Sequence, residues 1–353
     1  MVRYTIILLL LLLACRSQQY AQSENKSDPS IGFKTEVDGI GTNAASFLEI
    51  GVGTRARALG GAYAAVANDA SALFWNPAGI VWAGRVEVEA MHSEWFLDAS
   101  HEFFGGIVPL PSISSAVGVS FVTLGFGDQP VRTVSRPEGT GETYDARDVA
   151  IGLTFASAIT DRFSVGLTGK YINSRIWDVS GSAFAIDMGI FYNTQLDGLR
   201  LGFSMSNFGT NLAYGGRNLD TTVDPDEEVE NFDRVPAQYK TNAYPLPLLF
   251  RVGISYQAEF GSFGSPMVTV ELNHPSNAPE AINVGMEYGI LDVCFLRGGF
   301  NGLFDKTAES GLTLGAGVEY FTNSSDLGFR FDYSWSEWGI LGSTQSFSLG
   351  IVF

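Results

Sequence analysis

Three histidines are the first residues to test for chemistry, because a neutral imidazole can ligate metal or act as a general base. His92, His101 and His274 are the only ones in the chain. His92 and His101 flank one short predicted connection, but no further ligand stands beside them at a fitting spacing. They read as surface or lumen side chains, and no metal is expected. Gly51-Val52-Gly53 has two glycines of a dinucleotide loop but lacks the third and any strand–turn–helix context. No nucleophile elbow, Ser/His/Asp arrangement or phosphate loop occurs. The carboxylates Glu87, Glu89, Asp187 and Glu271 lie on predicted strand faces opposite apolar residues. They are expected to line a polar lumen and to pair there with Arg251, Lys170 or Arg297. The expectation is a protein that is not an enzyme and carries no cofactor.

The elements that hold these residues are strands. From residue 85 onward apolar and polar residues alternate with period two, as in Val86, Val88 and Ala90 against Glu87 and Glu89. Fourteen strands are expected: 85–95, 102–110, 115–124, 147–159, 162–176, 183–194, 198–207, 249–259, 265–274, 281–291, 293–301, 310–321, 327–336 and 345–353. Most have the length that a tilted strand needs to cross a bilayer. Even-numbered connections are short. The two longest, about 125–146 and 208–248, are odd-numbered. Short periplasmic turns and longer outer loops are the pattern of outer-membrane barrels. The last strand has Phe347, Leu349, Ile351 and Phe353 on one face, which should point to lipid. A terminal aromatic strand of this kind is expected to be the signal read by barrel-assembly machinery. Trp95, Phe96, Trp177, Trp335 and Trp338 gather near strand ends, as interface girdles do. A soluble sandwich or propeller would have shorter strands or a constant repeat.

Composition agrees with this reading. Charged residues make up 17% of the 353, low for a soluble protein, while Gly (41) and Phe (26) are abundant. The net charge of −17 argues against nucleic acid as a partner. Residues 4–14 form a short apolar run after Arg3, too short to span as a helix, and read as a secretory signal. Two processing sites compete: an ordinary cut after Ala21, which is favoured, and lipoprotein processing at Cys15 within Leu12-Leu13-Ala14-Cys15. The expected organisation is a signal peptide over 1–21, a flexible segment over 22–43, a helical hatch over 44–84 and a transmembrane β-barrel over 85–353.

The hatch differs from everything after it. Thr54 to Ala67 is rich in alanine and favours helix. Asp69 or Ser71 can cap a second short helix, which Asn76-Pro77 ends. The most specific motif is Asn68-Asp69-Ala70-Ser71-Ala72-Leu73-Phe74-Trp75-Asn76-Pro77-Ala78-Gly79. Together with Gly51 to Ala62, His92 to Phe96, Leu296 to Phe300 and Phe331 to Ser334, it resembles the PorV/PorQ family of FadL-like outer-membrane barrels. The ending, Leu341 to Gly350, also resembles that family, with Gln345-Ser346 where a basic pair is more usual.

The resemblance implies an all-β, fourteen-stranded antiparallel transmembrane barrel with a small N-terminal helical hatch in its lumen. It implies a bacterial outer-membrane location and outer-membrane lipid as surroundings. PorV relatives serve type IX secretion, which implies translocon and cargo proteins as partners in secretion or surface attachment. The 208–248 connection, acidic from Asp220 to Asp233 and apolar at Tyr244-Pro245-Leu246-Pro247, is the expected docking surface. FadL relatives carry hydrophobic small molecules, which implies an apolar pocket beside the hatch lined by Leu59, Tyr63, Phe74 and Trp75. Both roles stay open at this stage.

Overall fold

Alternation of inward polar and outward apolar side chains lets a sheet close on itself with one face to lipid and the other to a polar interior. The computed structural model takes that form. It describes residues 41–224, 234–259, 264–291, 293–304, 311–322 and 327–353. The expected signal peptide, Cys15 and most of the expected flexible segment fall outside the described residues. So do most of the acidic run beginning at Asp224 and parts of four other connections.

Fourteen antiparallel strands form the barrel: β1 Glu87–Glu94, β2 Ser100–Leu110, β3 Ser115–Pro130, β4 Thr143–Thr160, β5 Phe163–Ile176, β6 Val179–Asn193, β7 Leu199–Gly209, β8 Leu249–Gln257, β9 Ser265–Pro275, β10 Ala281–Ile290, β11 Cys294–Leu303, β12 Leu312–Phe321, β13 Gly328–Glu337 and β14 Ser343–Val352. Each pairs with its sequence neighbours, and β14 closes on β1 from Glu87↔Val352 to Glu94↔Gln345. Every strand corresponds to one expected from the period. β3 and β4 pair further than the apolar alternation implied, as far as Pro130↔Thr143, so their connection shortens to 131–142.

The outer face is apolar. Leu153 and Phe155 on β4, Phe184, Ile186 and Met188 on β6, and Leu349 on β14 are all exposed. Phe347 and Phe353 are exposed on the same side as Leu349, and Ile351 is half-buried. The inner face carries Thr154, Thr168, Lys170, Asp187, Ser255, Thr269 and Glu271, all buried. The end carrying connections 131–142 and 210–248 is the loop end, and the opposite one is the turn end.

Most of the chain between Phe47 and Ile80 is buried inside the barrel. Helix α1, Thr54–Ala58, stops after five residues because Gly60 and Gly61 turn the chain at φ +67° and +75°, which suits residues without a Cβ. Helix α2, Ala72–Trp75, ends at Asn76, and a 3-10 segment, Pro77–Ala83, leads into β1. The described chain enters at the loop end, where the Ala44 amide donates to the Pro245 carbonyl (2.9 Å). It leaves at the turn end, where the Trp82 indole donates to Ser164 Oγ (2.9 Å).

Candidate functional site: the hatch and the recess above it

The barrel wall meets the hatch through missing side chains and through hydroxyls. A Cβ on inward-facing Gly166, Gly189, Gly202, Gly285, Gly299 or Gly315 would come within 2.1–2.5 Å of hatch atoms. Glycine is what lets hatch backbone lie directly on the strands. Between these contacts, wall hydroxyls donate to hatch carbonyls. Thr313 bonds Ala58 O (3.0 Å), Thr269 bonds Ala62 O (3.1 Å), Ser255 bonds Ala65 O (3.0 Å) and Ser164 bonds Ala78 O (2.9 Å). Glu271 Oε2 accepts the Tyr63 and Ala64 amides at 2.9 and 2.6 Å. Buried hatch backbone groups are thus satisfied by the wall, as interior polar groups must be.

Within the motif, Asp69 accepts from the Ser71 amide (3.1 Å), the Ser71 hydroxyl (2.6 Å) and the Tyr63 hydroxyl. Asn68 accepts from Arg55 (3.1 Å), and the Ala70 amide donates to Glu87 (3.2 Å). Asn76 donates to the carbonyls of Ala64 (2.8 Å) and Ile190 (3.0 Å), and its Oδ1 accepts the Ala78 amide (3.2 Å). Pro77 backbone rests against Gly166, and Gly79 lies so close to the Ala67 carbonyl that a Cβ would stand 2.0 Å from it. The motif is therefore a folding knot that fixes the hatch to β1, β5 and β6.

Toward the turn end the lumen is crossed by ion pairs. Arg55 reaches Glu287 through two bonds of 2.8 Å and stands 3.5 Å from Asp69. Arg297 bonds the same Glu287 (2.6 Å) and also Asp332. Arg330 bonds Glu87 (2.9 Å) and Glu319 (3.3 Å). Further in, Lys170 pairs with Asp187 at 2.5 Å. The sequence expectation named Arg297, Lys170 and Arg251 as lumen cations. It missed Arg55, Arg330 and Glu287, whose partners lie up to 243 residues apart and leave no local signature.

Toward the loop end a recess of about 140 Å³ opens above the hatch. Arg57, Gly61, Trp75 and Arg251 lie against it, with Asn273, Asn283 and Asn301 from the wall and Trp95 and Trp338 from the loops. Arg57 bonds Ser93 Oγ (2.6 Å) and Thr344 Oγ1 (2.8 Å) and lies over the Trp95 ring at 5.3 Å. Arg251 bonds Ser206 (3.0 Å), lies 5.0 Å above the Trp75 ring, and stands 3.8 Å from Glu271. Of the four residues expected to line an apolar pocket, Leu59 and Tyr63 have no exposed surface and Phe74 sits under Lys170 and Arg251. Trp75 alone of the four borders this recess.

A second, larger groove of about 730 Å³ lies at the loop end, between Pro130 and Tyr144 of the β3–β4 hairpin, Trp177, and Tyr214 and Thr241 of the 210–248 connection. His92 and His101 sit on paired strands but face opposite sides: His92 is exposed and bonds Glu102, while His101 is buried. No cluster fit to hold a metal ion occurs among the described residues.

The family model described as "Type IX secretion system protein PorV" matches residues 33–225, more than half of the chain. No curated protein matches the sequence. Among solved structures, the Pseudomonas putida toluene transporter TodX is similar with a TM-score of 0.55 and 10% identity, over 86% of this chain and 98% of that one. The Ralstonia pickettii toluene transporter TbuX is similar with a TM-score of 0.51 and 14% identity, over 86% and 97%. The CymD monoaromatic hydrocarbon channel gives 0.52 and 13%, over 86% and 96%. At these identities the likeness is one of fold.

Proposed function

The chain belongs to the PorV family of type IX secretion system proteins, and from that premise we propose that it is an accessory barrel of protein secretion or surface attachment. Its work is done by protein contacts at the loop end, not by passage of solutes through the lumen. The filled lumen is the observation that supports this most. Leu59, Ala62, Tyr63 and Leu73 have no exposed surface, and glycine contacts and hydrogen bonds tie the hatch to the wall around the barrel. A secretion partner needs a rigid barrel and presented loops, and the groove beside Trp177 and Tyr214 offers such a surface.

The partners on this reading are translocon and cargo proteins, with outer-membrane lipid around the barrel. The N-terminal signal would direct export, and β14 with Phe353 would serve the assembly machinery. Deleting about 215–240 should abolish cargo export while the barrel still assembles. Export at the parental level from that strain counts against the proposal. Co-purification of translocon subunits from outer membranes is the direct test.

The second reading, passive transport of hydrophobic small molecules, is favoured by the fold shared with the toluene transporters. It needs an apolar path along Phe74 and Trp75. Cations cover those rings, Lys170 at 5.7 Å from Phe74 and Arg251 at 5.0 Å from Trp75. Uptake of a labelled fatty acid that drops in Trp75→Ala would revive this reading.

A further inference from the structure

The outer face of the barrel carries a charge pattern that neither the filled lumen nor the loop-end groove requires. On β4 the outward positions include Ile159, Phe155, Leu153, Ile151 and Val149, and the next one toward the loop end is Arg147. On β5 the outward Tyr171 and Asn173 are followed by Arg175. The register sets Arg147 directly opposite Arg175. Like charges directly opposite each other destabilise a sheet, and an anion between them removes the repulsion. Asp145 supplies one carboxylate, which bonds Arg175 at 2.6 Å. Arg147 is exposed and has no hydrogen-bond or ion-pair partner among the described residues. A chain of net charge −17 has no general excess of cations to place here. Among the described residues, Arg147 and Arg175 are the only Lys or Arg at outward positions of the strands. At the loop end of β1 and β2 the outward charges include Glu94 and Glu102 instead.

We propose that Arg147 and Arg175 bind a phosphate of a lipid headgroup in the leaflet at the loop end. Depth carries the assignment. From Ile159 to Val149 the outward positions cover about 34 Å along the strand, at about 3.4 Å per residue. At a strand tilt of about 40° this is about 25 Å of membrane depth, the height of the apolar band of such barrels. Arg147 stands one outward position higher, by about 5 Å, within the polar layer that adds roughly 5–7 Å to each side of the hydrocarbon. A side chain at that depth has headgroups as its neighbours. Two guanidinium forks can hold the oxygens of one phosphate through charge-assisted hydrogen bonds. The wall beside them suits the rest of a headgroup. Between the arginines and the apolar band, Ser182 Oγ accepts from Asn173 (3.0 Å) and shares a hydrogen bond with the Tyr171 hydroxyl (3.0 Å). Ser180 lies opposite Arg175, and Gly125 lies opposite Arg147 on β3. Neither raises a bulky side chain against an approaching lipid.

The site lies on the lipid-facing wall and stands apart from the secretion role. The test uses the full-length protein in detergent, with dioleoyl phosphatidic acid added and bound lipid counted by native mass spectrometry. Dioleoyl phosphatidylcholine, whose phosphate is balanced by choline, and inorganic phosphate as competitor are the other arms. Phosphatidic acid should bind at least about tenfold more tightly than phosphatidylcholine, the scale of one charge-assisted hydrogen bond. The double variant Arg147→Gln/Arg175→Gln should lose that difference. Both side chains are exposed, so its thermal midpoint should not fall. Asp145→Asn frees Arg175 and should tighten phosphatidic acid binding, which tests the site without removing a cation. Glu102→Gln, on β2, should leave the preference unchanged. Equal binding of the two lipids overturns the inference, as does a preference that survives in the double variant. Displacement of phosphatidic acid by an equal concentration of inorganic phosphate overturns the lipid source. A double variant that keeps the lipid preference but no longer co-purifies with translocon subunits assigns the pair to a protein contact and overturns the inference too.

Discussion

The two ends of the lumen treat buried cations in opposite ways. Toward the turn end, Arg55, Arg297 and Arg330 each meet a carboxylate at 2.6–2.9 Å, and Glu287 serves two of them. Toward the loop end, Arg57 meets hydroxyls and an indole, and Arg251 stands 3.8 Å from its carboxylate. Arg55 and Arg330 keep 17% and 16% of their side-chain surface exposed and Arg251 only 3%, so solvent does not stand in for the missing carboxylates at the loop end. A compensated network fixes one geometry and resists an added charge. An uncompensated buried cation leaves the fold less stable. The turn end is a lock between hatch and wall; the loop end holds its cations by looser contacts.

The largest effect should come from breaking the lock. Glu287→Ala leaves Arg55 and Arg297 buried beside a missing partner, and removing one member of a buried ion pair destabilises by about 3–5 kcal/mol. Added protease should then cut the hatch between Arg55 and Trp82 in barrels that remain folded. A hatch in Glu287→Ala as protected as in the parent would show that the ion pairs do not hold it.

Next come the glycine contacts. In Gly202→Ala the new Cβ would lie 2.1 Å from the Ala64 carbonyl, forcing hatch or strand to shift at about 1–3 kcal/mol. Gly169→Ala, where nothing lies within 4 Å, is the control and should leave the thermal midpoint unchanged. Equal behaviour of the two would mean that the hatch does not rest on the wall.

Smaller still, and opposite in sign, is the effect expected at the loop end. Arg57→Met should leave stability unchanged or raise it by about 1 kcal/mol, because it removes an unpaired buried charge. The bonds it breaks leave no orphans: Ser93 also bonds Ser346 (2.9 Å), and Thr344 accepts the Trp338 indole (3.0 Å). Arg297→Met should lower the midpoint, since Glu287 and Asp332 lose their shared cation. A fall of similar size in both variants would erase the contrast between the ends.

How much of this was legible in the sequence follows from the range of each interaction. The strands were legible because alternation is local: Val86 and Val88 against Glu87 and Glu89 already fix two faces. The outer part of the β3–β4 hairpin was not, because Gln129 and Thr143 lie beyond the apolar band and nothing there alternates. The hatch was legible from its alanines and from Asn76-Pro77. Its helices proved shorter than composition implied, since Gly60 and Gly61 cut the first off. The ion pairs were illegible because Arg330 and Glu87 meet only after the barrel closes. One usable signal was overlooked. Gly166, Gly202, Gly253 and Gly285 fall in phase with the inward Thr168, Ser204, Arg251 and Glu287. A glycine at a lumen position marks where another backbone comes close.

The smallest expected effect decides whether burial or position makes the loop end different. His92 and Glu102 also lie near that end, in contact at 2.7 Å, but on the outside, with side chains 52% and 38% exposed. Water and salt screen such a pair, so His92→Gln should change stability by less than about 1 kcal/mol. Its midpoint should move less with added salt than the measurement can resolve. A larger loss would mean that the loop end is tuned electrostatically on both faces of the wall. In that case the uncompensated charge of Arg57 would belong to a general property of that rim, not to the recess. An unchanged midpoint confines the difference between the two ends to the buried side of the wall, where Arg57 and Arg251 face the recess.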